Sequence, residues 1–246
     1  SFFEKMKQWA YDEDSLSTNH PIEAKVENTE EAFTQFDGIT YGKGASVLKQ
    51  LAFFIGESNF QNGVRNYLKR YAFSNSTLKD FLVELELASG ISLRKWSKDW
   101  LETKGTNEIE FISECSNHFL KWKIIQSKPG LENKYRDHKT NIGLYSLNSE
   151  LDSESIPKYQ FESFSVIYTG RATSFVQKVK KCPDFVLVNS EDQDFVTWVW
   201  RDVDLKKIKF LLLNDTDSFR KLILWNSFYQ QVELGKLSYN SFFEVA

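Results

Sequence analysis

The sequence has few of the residues that build metal sites. It contains three histidines and two cysteines among 246 residues. None of the histidines is followed by Glu or by a second His four residues later, although a helical zinc site needs two His one turn apart. The two cysteines lack the spacing of metal ligands. The spacing therefore predicts no zinc site formed from His20, His118 and His138 or from Cys115 and Cys182.

Other absences limit the compartment and the class of protein. Two cysteines are too few for a disulfide framework, so we expect reduced thiols. On that ground we expect a cytoplasmic location, although a leader outside this sequence would carry its own address. No run of about 18 apolar residues is present, and Ser1–Lys5 does not resemble a signal peptide. We therefore expect no membrane-spanning segment.

The charge and the aromatic content point to an ordinary globular protein. There are 31 basic and 34 acidic residues, which gives a net charge of -3. No basic face is visible in the sequence, so binding to nucleic acid is not expected. Aromatic residues make up 15% of the chain and are spread along its length. This distribution predicts thick cores between packed elements rather than one cofactor pocket.

The apolar periodicity predicts helices, then strands, then helices. Over the first hundred residues apolar side chains recur at intervals of three and four residues, as in a helix. From Ile109 the period changes to two, and beyond Asp204 it returns to that of a helix up to a last element at 239–246. Several short strands at this spacing favour a sandwich. We predict strands at 119–124, 138–147, 157–168, 173–179, 184–189 and 195–200.

Local signals predict several helix ends in the first hundred residues. A capping box pairs a Ser or Thr with an acid or amide three residues later. Glycine is the usual residue just past the end of a helix. By these rules we expect capping boxes at Ser58 with Gln61 and at Thr77 with Asp80, and helix ends at Gly56 and Gly90.

One stretch, Asp37–Ser46, carries features of a functional loop that enters a helix. Its glycines allow close approach of the backbone. They lack the spacing of nucleotide-binding loops, so a nucleotide site is not expected. Without further information, Tyr41 in this stretch is simply a half-buried aromatic residue at the start of a helix.

This stretch resembles the Tyr-x-Lys-Gly-Ala segment of aminopeptidase N-type zinc metallopeptidases, with Tyr41 at the catalytic tyrosine. Upstream, Asn19–Ile22 resembles the family's Ser-His-Pro-Ile, and the pair Phe36–Asp37 also fits. Downstream, Trp96–Asn107 is similar to the segment that closes the catalytic domain. Weaker similarity covers the rest of the chain, and the likeness is greatest to a bacterial-style branch.

The resemblance implies a multidomain α and β fold in three parts. Residues 1–105 would be the helical end of a thermolysin-like catalytic domain. Residues 106–202 would be a β-sandwich, and residues 203–246 the first helices of an α-superhelical domain. The resemblance also implies hydrolysis of N-terminal residues from a peptide substrate, with Tyr41 donating a hydrogen bond to the oxyanion of the tetrahedral intermediate.

The same family needs a His-Glu-x-x-His helix and a distant Glu to hold zinc, and a Gly-x-Met-Glu-Asn segment to hold the substrate's amino group. This sequence contains neither. Both precede the tyrosine in the family, so we expect them on a missing N-terminal part of the same polypeptide. The zinc would then belong to the complete protein, and this chain alone would bind none and be inactive.

The residues around Tyr41 also have expected roles. Thr40 would cap the helix, and Lys43 would form a structural ion pair. His20 would fix a loop rather than act in catalysis or bind metal. The small residues Gly42, Gly44 and Ala45 would let the helix pack closely. Two other readings remain open: a non-catalytic aminopeptidase-like scaffold for protein interaction, and a soluble binding module rich in aromatic residues.

Overall fold

The computed structural model describes residues 3–24, 28, 30, 33, 36–126, 134–147, 159–202 and 204–245. These residues form two compact units. The first is helical and consists of residues up to 106 together with a segment that ends at His138. The second consists of 107–126 and the residues from 139 onward, and its described residues form strands and three helices. The fold is therefore a mixture of α and β structure.

Five α-helices are complete within the described residues of the first unit. Two π-helical turns, Phe3–Lys7 and Ile39–Lys43, run directly into the first and second of these helices. The core between the helices includes the fully buried side chains of Val47, Leu51 and Trp100. The helices are α1 (Gln8–Asp14), α2 (Gly44–Ile55), α3 (Glu57–Arg70), α4 (Leu78–Ser89) and α5 (Arg94–Leu101).

Most of the predicted helix ends are confirmed. The Thr77 hydroxyl accepts from the Asp80 amide at 3.3 Å, and the Asp80 carboxylate accepts from the Thr77 amide at 2.9 Å, which completes the capping box. Gly90 ends α4 with a φ of 69°, and Gly56 ends α2 with a φ of 94°. The box at Ser58 is wrong. Because α3 begins immediately after Gly56, Ser58 lies inside its first turn, and no side chain caps that helix.

Within the described residues of the second unit, seven strands form two sheets, in the orders β5-β2-β1-β7 and β4-β3-β6. Strand β1 pairs antiparallel with β2 and parallel with β7. Along β2 the apolar side chains of Leu120, Trp122 and Ile124 are buried while the lysines between them are exposed, as the alternation predicted. The strands are β1 (Asn107–Ser116), β2 (Phe119–Gln126), β3 (His138–Leu147), β4 (Tyr159–Tyr168), β5 (Ala172–Lys178), β6 (Phe185–Val188) and β7 (Val196–Val199).

Three helices follow the strands: α6 (Leu205–Asn214), α7 (Ser218–Glu233) and α8 (Tyr239–Val245). Carboxylates cap the first two, because Asp204 accepts from the Lys207 amide and Asp217 from the amides of the first turn of α7. The return to a helical period is thus confirmed. Among the helices of the described ranges, none has the length and apolar character needed to cross a bilayer.

The two cysteines form a disulfide, so the prediction of reduced thiols is wrong. Cys115 and Cys182 have Cα atoms 5.7 Å apart although 67 residues separate them in sequence. Strand pairing explains the contact. Cys115 lies opposite Leu120 near the start of β2, and that end of β2 pairs with the end of β5, from which the chain runs to Cys182. The expectation of a cytoplasmic location loses its premise, since disulfides are typical of oxidising compartments.

Removal of the disulfide should destabilise the unit that contains the sheets. The double variant Cys115→Ala/Cys182→Ala frees a loop of 67 residues in the unfolded chain. We expect the free energy of unfolding to fall by about 2–4 kcal/mol. Urea titration with and without reductant measures this, and reductant should leave the double variant unchanged. Equal stability of the reduced and oxidised wild type would contradict the prediction.

A buried carboxylate joins the second sheet to the C-terminal helices. Asp215 accepts from the hydroxyls of Tyr145 at 2.5 Å and Tyr159 at 2.7 Å, and from Arg220 Nη2 at 2.8 Å. Burial alone would raise the pKa of Asp215, but the hydrogen bonds from Arg220 and Tyr145 outweigh it, so its pKa is lowered. Burial and the neighbouring carboxylate raise the pKa of Tyr145. The folded state therefore favours the ionised carboxylate.

Acid should weaken this unit through Asp215. The stabilisation is complete above 3.8, the ordinary pKa of an Asp carboxyl group. It is lost as the pH falls through the lower pKa that Asp215 has in the folded state. Asp215→Asn should therefore cost about 3 kcal/mol at neutral pH and reduce the loss of stability in acid. Denaturant titrations between pH 2 and 7 measure both effects. The control is Glu110→Gln, which breaks the exposed pair with Arg201 and should cost less than about 1 kcal/mol.

Candidate active-site segment

Tyr41 lies in the π-helical turn Ile39–Lys43, which continues directly into α2. Its side chain is 45% exposed. Its ring stacks on Phe36, with centroids 6.0 Å apart and planes inclined by 19°. Within the described residues the phenolic hydroxyl makes no hydrogen bond. The phenol is therefore held from one side while its hydroxyl can donate to another molecule.

Asp37 caps the segment that carries Tyr41. One carboxylate oxygen, Oδ1, accepts from the amides of Ile39 and Thr40, each at 3.0 Å. The carbonyl of Asp37 accepts from the Tyr41 amide at 3.2 Å. The prediction that Thr40 caps the helix is wrong, because Thr40 already lies inside the turn. Asp37 provides the cap because a short carboxylate reaches the amides two and three residues ahead.

His20 holds the other oxygen of the same carboxylate. Its Nε2 lies 2.7 Å from Asp37 Oδ2, and its Nδ1 lies 2.7 Å from the carbonyl oxygen of Pro21. The preceding residue, Asn19, donates to the carbonyl of Asp14 at 2.7 Å. The expectation that His20 fixes a loop is confirmed, and that loop contacts the start of the Tyr41 segment.

Lys43 anchors the other end of the segment in the core. Its Nζ donates to Asp14 Oδ1 at 2.9 Å, and both side chains are fully buried. Asp14 also accepts from the Gly105 amide at 3.0 Å and from the Thr106 hydroxyl at 2.8 Å. A buried ion pair is stable only where hydrogen bonds satisfy its remaining polar atoms, as they do here. The predicted ion-pair role of Lys43 is confirmed, whereas nothing in the sequence identified Asp14 as its partner.

Three small residues, Gly42, Gly44 and Ala45, were expected to allow close packing of the segment, and only Gly42 does so. A Cβ added at Gly42 would lie 2.2 Å from the carbonyl oxygen of Met6 and 2.9 Å from Cβ of Ala10. At Gly44 the nearest atom would be 3.8 Å away, and Ala45 is exposed. The prediction of tight packing is therefore correct for Gly42 and wrong for Gly44 and Ala45.

The described residues do not assemble a metal site. No group of three or more His, Cys, Asp or Glu side chains within those ranges could hold an ion. Each of the three histidines contacts a different part of the protein. His20 contacts Asp37, His118 Nδ1 lies 2.7 Å from the carbonyl of Lys180, and His138 packs against a tryptophan ring. This set of ligands does not fit zinc.

Comparison with known proteins identifies the family. Residues 1–100 match the model of the peptidase family M1 domain. The chain is 34% identical to aminopeptidase N of Streptomyces lividans, in an alignment that covers 97% of this chain and 28% of that protein. The chain belongs to the peptidase family M1. It therefore belongs with metallopeptidases, as the resemblance of the Tyr41 motif implied.

A further relative agrees with this assignment, and a solved structure shares the fold. Glutamyl aminopeptidase of Bos taurus is 39% identical over 189 residues, which are 77% of this chain and 20% of that protein. The crystal structure of Legionella pneumophila aminopeptidase A in complex with aspartic acid matches with a TM-score of 0.69 and 18% identity. That match covers 95% of this chain and 26% of the Legionella protein, and it shows the fold alone. The chain thus spans about a quarter of the length of its M1 relatives.

Substitution of Gly42 and of Gly44 by alanine should have different effects on the free energy of unfolding. Gly42→Ala places a methyl group against the Met6 carbonyl, which belongs to the backbone and cannot rotate away. We expect a loss of about 1–3 kcal/mol in the free energy of unfolding. Gly44→Ala, the matched control, has room for the methyl group and should be neutral or stabilising by up to about 1 kcal/mol. Thermal denaturation followed by circular dichroism distinguishes them, and equal effects would contradict the packing argument.

Proposed function

We propose that the complete protein is a zinc-dependent aminopeptidase that hydrolyses N-terminal residues from peptides, and that this chain contributes Tyr41 to its active site. Membership of the M1 family and the aminopeptidase names of the relatives support the reaction class. The observation that supports this role of Tyr41 is that its phenol is exposed. The short turn that carries it is held at both ends through its backbone and Lys43.

The chemistry of peptide hydrolysis suits such a phenol. Attack on the scissile carbonyl places negative charge on its oxygen, and a neutral O–H group can donate a hydrogen bond to that charge. The donor is effective when it is already oriented, because no free energy is then spent on turning it during the reaction. One such donor lowers the barrier by about 3 kcal/mol. The anchoring of the turn at Asp37 and Lys43 supports this role for Tyr41.

We further propose that the zinc ligands belong to residues outside this chain, on the N-terminal part of the same polypeptide. The described side chains do not fit a zinc site, and the chain spans about a quarter of its relatives. This chain would then need that part as a partner in order to form the peptide-binding site. Alone it would be inactive.

The three-part organisation is also a proposal. In it, residues 1–105 complete a thermolysin-like catalytic domain, 106–202 form a β-sandwich, and 203–246 begin an α-superhelical domain. The order of helices, strands and helices along the chain supports this division. In such an arrangement, Tyr41 would be the contribution of the first part to catalysis, and the other two parts would serve as scaffold.

The test of this function is Tyr41→Phe in the complete protein. The variant keeps the ring that stacks on Phe36 and loses only the hydroxyl. We expect kcat for a peptide substrate to fall by about 100- to 1000-fold, with a much smaller change in KM. Tyr239→Phe, which removes another exposed hydroxyl, is the control and should leave kcat unchanged. A normal kcat in Tyr41→Phe would favour a non-catalytic role for this segment.

A further inference from the structure

His20 lies between two hydrogen-bond acceptors. Nδ1 is 2.7 Å from the carbonyl oxygen of Pro21, and Nε2 is 2.7 Å from Asp37 Oδ2. A carbonyl oxygen can only accept, so Nδ1 must carry a proton. An ionised carboxylate can also only accept, so Nε2 must carry a proton as well. A neutral imidazole has a single N–H, so the two contacts together require the protonated ring.

The alternative is a neutral ring facing a protonated Asp37. The other carboxylate oxygen disfavours it, because Oδ1 accepts from two backbone amides at 3.0 Å each. Hydrogen bonds donated to a carboxylate stabilise its ionised form. The geometry therefore describes an imidazolium paired with a carboxylate.

We propose that His20 and Asp37 form a charged pair that positions Tyr41, and that breaking this pair loosens the segment that carries it. The proposal rests on the function proposed for Tyr41. His20 is a positioning residue in this scheme, since it acts through Asp37 and does not contact the phenol.

The coupling runs through Asp37. Its side chain and carbonyl accept from the amides of Ile39, Thr40 and Tyr41 in succession. The orientation of this one residue therefore sets the direction in which the turn begins. Without the imidazole, Oδ2 of Asp37 loses the donor that holds it. The Asp37 carboxylate can then rotate, which weakens the hydrogen bonds that its Oδ1 accepts from the amides of Ile39 and Thr40.

The pair of His20 and Asp37 is partly exposed to solvent. The side chains of His20 and Asp37 are 23% and 21% exposed. Two other charged side chains lie near this loop: Glu23, which is part of it and exposed, and Lys104, whose Nζ donates to the carbonyl of Asn19 at 3.3 Å. The buried pair of Lys43 with Asp14 has its own partners and does not involve the ring. Among the described residues, Asp37 is the acidic group in contact with His20.

Nitrogen-15 NMR of the imidazoles in this chain tests the charge on His20 without relying on catalysis. At neutral pH we expect both ring nitrogens of His20 to be protonated, and Asp37→Asn to remove that second proton. His118 is the internal control, since its Nδ1 meets one carbonyl acceptor and a neutral ring satisfies that contact. His20→Gln and His118→Gln assign the signals. A single N–H on His20 at neutral pH would overturn the proposal.

The complete protein tests the positioning role. His20→Ala should lower kcat about tenfold or more with little change in KM, because a displaced catalytic group costs up to about 100-fold. His20→Gln, which keeps an N–H donor for Asp37, should retain more of kcat than His20→Ala, and His118→Gln should leave kcat unchanged.

A double variant separates positioning from general stability. If His20 acts through Tyr41, His20→Ala should have almost no further effect on kcat in the Tyr41→Phe background. Fully additive losses would show that His20 acts elsewhere and would overturn the proposal. Failure of the proposed function gives a different result, since Tyr41→Phe alone would then leave kcat normal while the NMR measurement still reports the charge on His20.

Discussion

The buried ion pair of Asp14 with Lys43 is the interaction on which the Tyr41 segment depends. Both side chains have no exposure to solvent, so each charge must be fully satisfied inside the protein. The carboxylate meets this demand only when the end of α1, the π-helical turn and the chain at Gly105–Thr106 are all in place. The pair therefore makes the position of the turn a condition of folding the helical unit. Because Tyr41 lies two residues before Lys43, the same ion pair restricts the position of its backbone.

The segment is constrained differently at its two ends. Lys43 holds one end in the core, while Asp37 and His20 hold the other near the surface. Gly42, between them, lets the backbone approach the Met6 carbonyl so closely that no side chain fits there. The phenol of Tyr41 is thus the exposed part of a turn whose backbone is held on both sides. In the role proposed for Tyr41, this arrangement would reduce the reorganisation that a hydrogen-bond donor needs when charge develops on a substrate.

The sequence predicted the features that depend on neighbours along the chain and missed those that depend on topology. Periodicity located the strands, and three-residue spacing located the capping box at Thr77. The role of Lys43 was predicted but not its partner, because 29 residues separate Lys43 from Asp14. The disulfide between Cys115 and Cys182 was missed for the same reason: strand pairing, and not spacing, brings the two residues together. The cap at Asp37 had a local signal, since Asp commonly accepts from amides two residues ahead, but Thr40 was chosen in its place.

The scaffold around Tyr41 satisfies its own charges. Asp14 and Lys43 pair with each other, Asp37 pairs with His20, and all four belong to the helical unit. None of these contacts requires a metal ion. In the proposed enzyme, the orientation of the phenol would therefore be set by the folding of this unit, whereas the metal would be held by other residues. The position of the tyrosine and the binding of the metal would then depend on different residues. A loss of zinc need not displace the tyrosine.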